Sequence, residues 1–162
     1  MFSEPLLSEA RELLAAARGK DIQIVTAESC TGGLIAALLT EIPGSSDVVE
    51  RGFVTYSDLA KQDLLGVPAE LLRAHGAVSE PVCRAMAEGA LKHSRAQLAV
   101  AVTGIAGPGG GSAEKPVGLV YIATARQAGD IVTREYRFGD IGRDRVRLGT
   151  VERAIQLLRG CV

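Results

Sequence analysis

Histidine is scarce in this 162-residue chain, with only His75 and His93 present. They fall in different helical segments, and neither has a cysteine near it at ligand spacing. A structural zinc site is therefore not expected. A Ser-His-Asp triad is not supported either, because each histidine sits at a helix end, where it reads as a C-terminal cation or a surface residue. Cysteine is equally thin. Cys30, Cys83 and Cys161 form an odd and widely spaced set, which argues against a disulfide framework and for a reducing cytosol. The formal net charge of −1 leaves no basic excess for sequence-independent binding of nucleic acid. No apolar run reaches membrane-spanning length, and the N-terminus lacks a basic start followed by an apolar core. These absences predict a cytoplasmic protein with no metal, no nucleic acid and no membrane among its partners. No repeat, linker or composition break divides the chain. With 162 residues, 47% of them hydrophobic, it suits one domain over 1–162 with a sizeable core.

Periodicity supplies the elements. Ser3 to Gly19 reads as an amphipathic helix, with Leu6, Leu7, Ala10, Leu13, Leu14 and Ala17 at helical spacing and Gly19 as its stop. Ile22 to Val25 reads as a buried strand, and Leu34 to about Glu41 as a helix. Ile42-Pro43-Gly44-Ser45-Ser46 is a turn. Val48 to Tyr56 reads as a strand interrupted at Arg51-Gly52. Ser57 can cap a helix from Asp58 to Leu65, ended by Gly66. Pro68 opens another short helix to Gly76. Ser79 can cap the next helix, on which Val82, Met86 and Ala90 recur every four residues. Cys83 and Met86 read as core-filling residues there. Leu98 to Val102 is a short buried strand. Val117 to Ala125 and Ile131 to Phe138 form a hairpin, and Gly139 to about Arg159 closes the chain, mainly as a helix. Early alternation of helix and strand with a late hairpin predicts an α/β fold, a three-layer α/β/α sandwich with a mixed sheet.

Two stretches carry candidate chemistry. In Thr26-Ala27-Glu28-Ser29-Cys30-Thr31-Gly32-Gly33, hydroxyls, a thiol and two glycines sit where a strand gives way to a helix. Such a corner can bind an anion or hold a nucleophile beside an oxyanion hole. It can equally be a plain helix start capped by Ser29 or Thr31. The second stretch runs from Thr103 to Ser112 and has five glycines within eight residues. It reads as a binding loop held by the strand it leaves, or as a mobile hairpin loop. With no placed histidine, a serine nucleophile needs another base, and lysine serves when its pKa is lowered. Lys61 is the best placed, since Lys20 and Lys92 adjoin helix ends and Lys115 lies in the polar loop. Its competing reading is a solvated surface lysine. Arg134, Arg137, Arg143, Arg145 and Arg147 form a basic cluster diluted by Glu135, Asp140 and Asp144. One or two of these could hold a phosphate or carboxylate.

Several stretches together resemble the CinA C-terminal domain family: the Thr26–Gly33 corner, Gly52-Phe53-Val54-Thr55-Tyr56-Ser57 with Lys61, the loop from Val102 to Gly110, and Pro116-Val117-Gly118-Leu119-Val120-Tyr121. The resemblance runs from about Leu6 to Leu158. It implies an α/β/α domain and, for many members, hydrolysis of nicotinamide mononucleotide to nicotinate mononucleotide and ammonia, a step in pyridine nucleotide salvage. It implies no cofactor, a small-molecule nucleotide as substrate and a homodimer. Larger relatives carry a further N-terminal domain resembling molybdopterin-binding proteins. The chain leaves no room for that domain, so its metal dependence is not expected.

Matched residue by residue, Ser29 takes the place of the family's nucleophile, Lys61 of its general base and Tyr56 of an orienting group. Thr103 matches an active-site hydroxyl. The amides near Thr31-Gly32-Gly33 would stabilise the oxyanion. The loop with Thr103, Gly104 and Gly107, together with an arginine, would hold the 5′-phosphate. The family's compact Gly-Asp-Arg motif is stretched here, Gly139-Asp140 being followed by Ile141-Gly142. Arg143 aligns with the motif arginine and Arg147 with a second basic position. Cys30 is the rival nucleophile, because a helix N-terminus lowers a thiol's pKa. Neighbours on an extended segment point opposite ways, which separates its role from that of Ser29. Two further readings stay open: a non-catalytic nucleotide-binding or regulatory module tied to competence and DNA damage, and an amidase for another small amide.

Overall fold

The structure is a computed structural model and describes residues 2–162. It contains helices α1 (Glu4–Gly19), α2 (Leu34–Thr40), α3 (Asp58–Leu65), α4 (Ala69–His75), α5 (Glu80–Lys92) and α6 (Arg143–Arg159). The strands are β1 (Ile24–Glu28), β2 (Val49–Val54), β3 (Leu98–Gly104), β4 (Leu119–Arg126) and β5 (Ile131–Arg137). They form one sheet in the order β2-β1-β3-β4-β5. β1 is parallel to β2 and β3, whereas β4 and β5 are antiparallel additions. The sheet is therefore mixed, as the late hairpin predicts.

Strand alternation sorts the side chains into two cores. Ile24, Leu98, Val100, Val102, Val120 and Ile122 face α1, α2 and α6. Val25, Ala27, Ala99, Ala101, Ala123 and Ala125 face α5 and its neighbours. The alanines on this second side leave room for α5 to lie close, with Val82, Cys83, Met86, Ala87 and Ala90 pressed against them. On the first side α1 buries Leu6, Leu13 and Leu14, each worth about 1.5–3 kcal/mol. Helices on both faces make the three-layer α/β/α sandwich. Among the described residues, no helix is long and apolar enough to cross a membrane.

Two boundaries differ from the sequence reading in ways that matter. β1 does not stop at Val25 but runs through Thr26 and Ala27 to Glu28, all of them buried. Pairing with both β2 and β3 keeps these residues extended despite the two polar side chains. β2 continues across Arg51-Gly52, because Gly52 pairs with Thr26 and a side chain there would meet Thr26 Oγ1 at 2.9 Å. The corner thus begins at Ser29. It lies at the carboxyl end of the middle parallel strand, where the chain goes to β2 on one side and β3 on the other. Ligands of open α/β sheets bind at such a switch point.

Candidate active site

Ser29 follows β1 directly, and the ladder still holds it: Ser29 N donates to Val102 O at 3.1 Å. Odd-numbered residues of β1 face the α5 side, and Ser29 continues that parity. Its Oγ lies 3.2 Å from Lys61 Nζ. Lys61 reaches it from the first turn of α3. That helix starts at Ser57, whose Oγ accepts from Ala60 N at 3.0 Å, the expected cap. Lys61 Nζ also donates to Thr55 O at 2.7 Å. Lys61 is only 1% exposed, so the solvated-lysine reading is overturned. Burial holds its ammonium below the ordinary lysine value, while Asp58 and Cys30 work weakly the other way.

Cys30 points to the opposite face, into the core of α1, α2 and α6. Burial pushes its thiol up to about 11, and the Glu28 charge adds to the rise. Burial outweighs the lowering expected at a helix N-terminus, to which only the thiol's own backbone amide contributes, and the amides of that N-terminus are already taken. Glu28 Oε2 accepts from Thr31 Oγ1 at 2.6 Å, Gly33 N at 3.1 Å and Ile35 N at 3.0 Å. Its Oε1 accepts from Ala36 N at 2.9 Å. Neither Ser29 nor Thr31 caps α2; Glu28 does. Gly32 N donates to Ser29 O at 3.0 Å. The Gly32 and Gly33 amides are thus committed within the protein, which removes two of the three expected oxyanion donors and keeps Thr31. Among the described residues, the amides of Cys30 and Thr31 have no acceptor on another residue.

The remaining candidates fall on two sides of this corner. Thr103, buried at the end of β3, donates its hydroxyl to Ala77 O at 2.9 Å. Gly104 and Gly107 are held by packing: a Cβ would fall 2.6 Å from Val120 Cγ2 at the first and 2.7 Å from Val117 Cγ1 at the second. Gly107 O accepts from Arg143 Nη1 at 2.8 Å. Arg143 Nη2 donates to Tyr56 Oη, also at 2.8 Å. Arg143 thus bridges the chain after β2 and the loop after β3, which flank the end of β1. Tyr56 is 61% exposed and touches Arg143 rather than Ser29 or Lys61 through its hydroxyl. Arg147 Nε donates to Cys30 O at 3.1 Å and Nη2 to Thr31 O at 3.0 Å. Arg145 makes no such bond among the described residues, and Arg134 and Arg137 belong to β5.

The sequence pattern assigns no role to Glu28 or Thr55. Glu28 sits six residues before α2, outside any standard capping spacing, and only its burial at 0% marks it. Among the described residues, Thr55 Oγ1 is buried without a partner beside the Lys61 contact. A groove of about 680 Å³ runs along α5, lined by Leu65, Pro68, Arg84, Glu88 and Ile131, but includes none of Ser29, Lys61 or Thr103. Among the described residues, no three His, Cys, Asp or Glu side chains converge as a metal ion would require.

Comparison with known proteins agrees with this fold. The family model described as "CinA C-terminal domain" matches residues 7–162. A CinA-like protein of Anaeromyxobacter sp. strain K is 50% identical over 98% of this chain and 40% of its own length. A CinA-like protein of Akkermansia muciniphila is 60% identical over 70% of this chain and 28% of its own. The chain therefore spans about 40% or less of these curated relatives. Among solved structures, the competence/damage inducible protein CihA from Agrobacterium tumefaciens superposes with a TM-score of 0.97 at 54% identity, covering 99% of this chain and 97% of that one. The competence damage-inducible protein A from Klebsiella pneumoniae gives 0.91 at 35% identity, covering 96% and 95%. With the matching model spanning all but the first six residues and relatives at this identity along the whole fold, the chain belongs to the CinA C-terminal domain family.

Proposed function

We propose that this domain is a nicotinamide-nucleotide amidase that hydrolyses nicotinamide mononucleotide by a Ser29/Lys61 mechanism. The observation that carries the reading is a serine hydroxyl 3.2 Å from the amine of a buried lysine whose burial favours the neutral form. Neutral Lys61 keeps one N–H on Thr55 O, which leaves its lone pair free to take the Ser29 proton. Ser29 Oγ forms a bond to the carboxamide carbon, and the carbonyl oxygen takes up the charge. A good backbone donor to that oxygen contributes roughly 3–4 kcal/mol. On collapse the C–N bond breaks, and Lys61 returns the proton to departing ammonia. Water then adds to the acyl-serine and releases nicotinate mononucleotide. Arg143, now resting on Tyr56 and Gly107, can turn its fork to the substrate's 5′-phosphate. The homodimer and the absence of a cofactor, both implied by the family, belong to the same proposal.

The test is ammonia release from nicotinamide mononucleotide, nicotinamide and NAD. The mononucleotide is expected to be hydrolysed fastest, and Ser29→Ala to abolish turnover. Near-normal activity in Ser29→Ala would sink the mechanism. Tight binding of the mononucleotide without ammonia release would favour a regulatory module, and turnover confined to another small amide would change the substrate.

A further inference from the structure

The carbonyls that follow Ser29 are gripped from the far side of the sheet. Arg147 belongs to α6, in the layer with α1 and α2, and spans Cys30 O and Thr31 O with Nε and Nη2. In a trans peptide, one residue's carbonyl and the next residue's amide point opposite ways. Holding the Cys30 carbonyl against Arg147 therefore turns the Thr31 N–H away from α6. One peptide earlier, Ser29 O accepts from Gly32 N at 3.0 Å, which sets the direction of the Cys30 N–H. The amides of Ser29, Gly32, Gly33, Leu34, Ile35 and Ala36 all have acceptors. Only those of Cys30 and Thr31 have none on another residue, among the described residues, although both residues are buried. Buried amides are paired as a rule, so two consecutive ones with no partner on another residue, next to Ser29, suit an incoming oxygen.

We propose that Arg147 is a positioning residue: its grip on Cys30 O aims the Thr31 amide at the oxyanion formed when Ser29 attacks, and its grip on Thr31 O steadies Gly32 N on Ser29 O, which in turn directs the Cys30 amide there. This rests on the reading of Ser29 as nucleophile. It replaces the phosphate role expected for Arg147, because the Nε/Nη2 edge that would take a phosphate side-on is occupied by carbonyls. Lysine keeps the charge but has no planar fork to span both oxygens.

A fluorophosphonate tests this without relying on the natural substrate. Ser29 Oγ forms a bond to phosphorus, the P–F bond breaks, fluoride leaves and the hydroxyl proton passes to Lys61. In the labelled wild-type protein, the Cys30 and Thr31 amide protons are expected to move downfield in the NMR spectrum. In Arg147→Lys the labelling rate is expected to fall about 10- to 100-fold. Its kcat for nicotinamide mononucleotide should fall alike, with KM nearly unchanged. Unmoved amide protons in the adduct overturn the inference, as does an unchanged labelling rate in folded Arg147→Lys. A rise in KM for the mononucleotide but not for nicotinamide riboside, which lacks the phosphate, would make Arg147 a phosphate ligand and also overturn it. If Arg147→Lys fails to fold, the wild-type adduct decides. Wild type that does not label at Ser29 sinks the nucleophile reading itself, a separate failure.

Discussion

An ammonium at the Lys61 position forfeits its hydration and, among the described residues, gains two hydrogen bonds in return. The cost falls on the charged form, so the folded chain holds this proton less tightly than the unfolded chain does. Between Lys61's lowered pKa and the ordinary lysine value of 10.5, the unfolded state binds more protons. Stability therefore rises with pH across that window. Lys61→Met should abolish turnover while raising the thermal midpoint at pH 7, and the gain should shrink as pH approaches 10.5. Calorimetry at several pH values checks this; a lower midpoint at pH 7 refutes the account. Wild-type turnover should increase with pH through Lys61's pKa, because the base form is the neutral one. Cys30 behaves oppositely. Its thiol stays protonated at neutral pH, and its side chain only fills the α1, α2 and α6 core. Cys30→Ala should keep turnover within about twofold and cost about 1 kcal/mol of stability. Ammonia assays and urea denaturation separate the two effects.

The α2 helix has only seven residues, too few to hold together by itself. Glu28 supplies what it lacks, taking three amides of its start and the Thr31 hydroxyl. Glu28→Gln puts an NH2 group against at least one of those donors. We expect a loss of about 2–3 kcal/mol, read as a lower urea midpoint. A change within about 0.5 kcal/mol would show that the carboxylate is not the cap. The α3 helix was more readable. Ser57, Gly66 and the run between them mark its ends by local chemistry alone, and the structure keeps those ends. What the local pattern could not reveal is which way Lys61 faces, since a helix residue's burial depends on what packs beside it.

At the scale of the molecule, the candidate site lies where three strand ends meet. Ser29 follows β1, Tyr56 follows β2 and Gly107 follows β3, and Arg143 of α6 joins the last two. Arg143→Gln should raise KM for nicotinamide mononucleotide roughly 10- to 100-fold, the worth of a charge-assisted fork to phosphate, and leave the value for nicotinamide riboside nearly unchanged. Equal effects on both would assign Arg143 to holding the loop. Val54, Tyr56 and Leu59 are 50%, 61% and 64% exposed along the β2 edge and α3. The proposed homodimer predicts a sedimentation mass about twice 16.9 kDa, and a mass near 16.9 kDa retires it.

Residue order by itself determined the elements, the two-faced sheet and the parity that sends Ser29 and Cys30 to opposite sides. These follow from periods of 3.6 and 2 and from turn chemistry, all local. Only the tertiary structure decided that Lys61 is buried against Ser29, that Glu28 consumes the helix start and that Arg147 holds carbonyls. Each depends on residues from separate elements meeting in space, and on burial that changes what a charge costs.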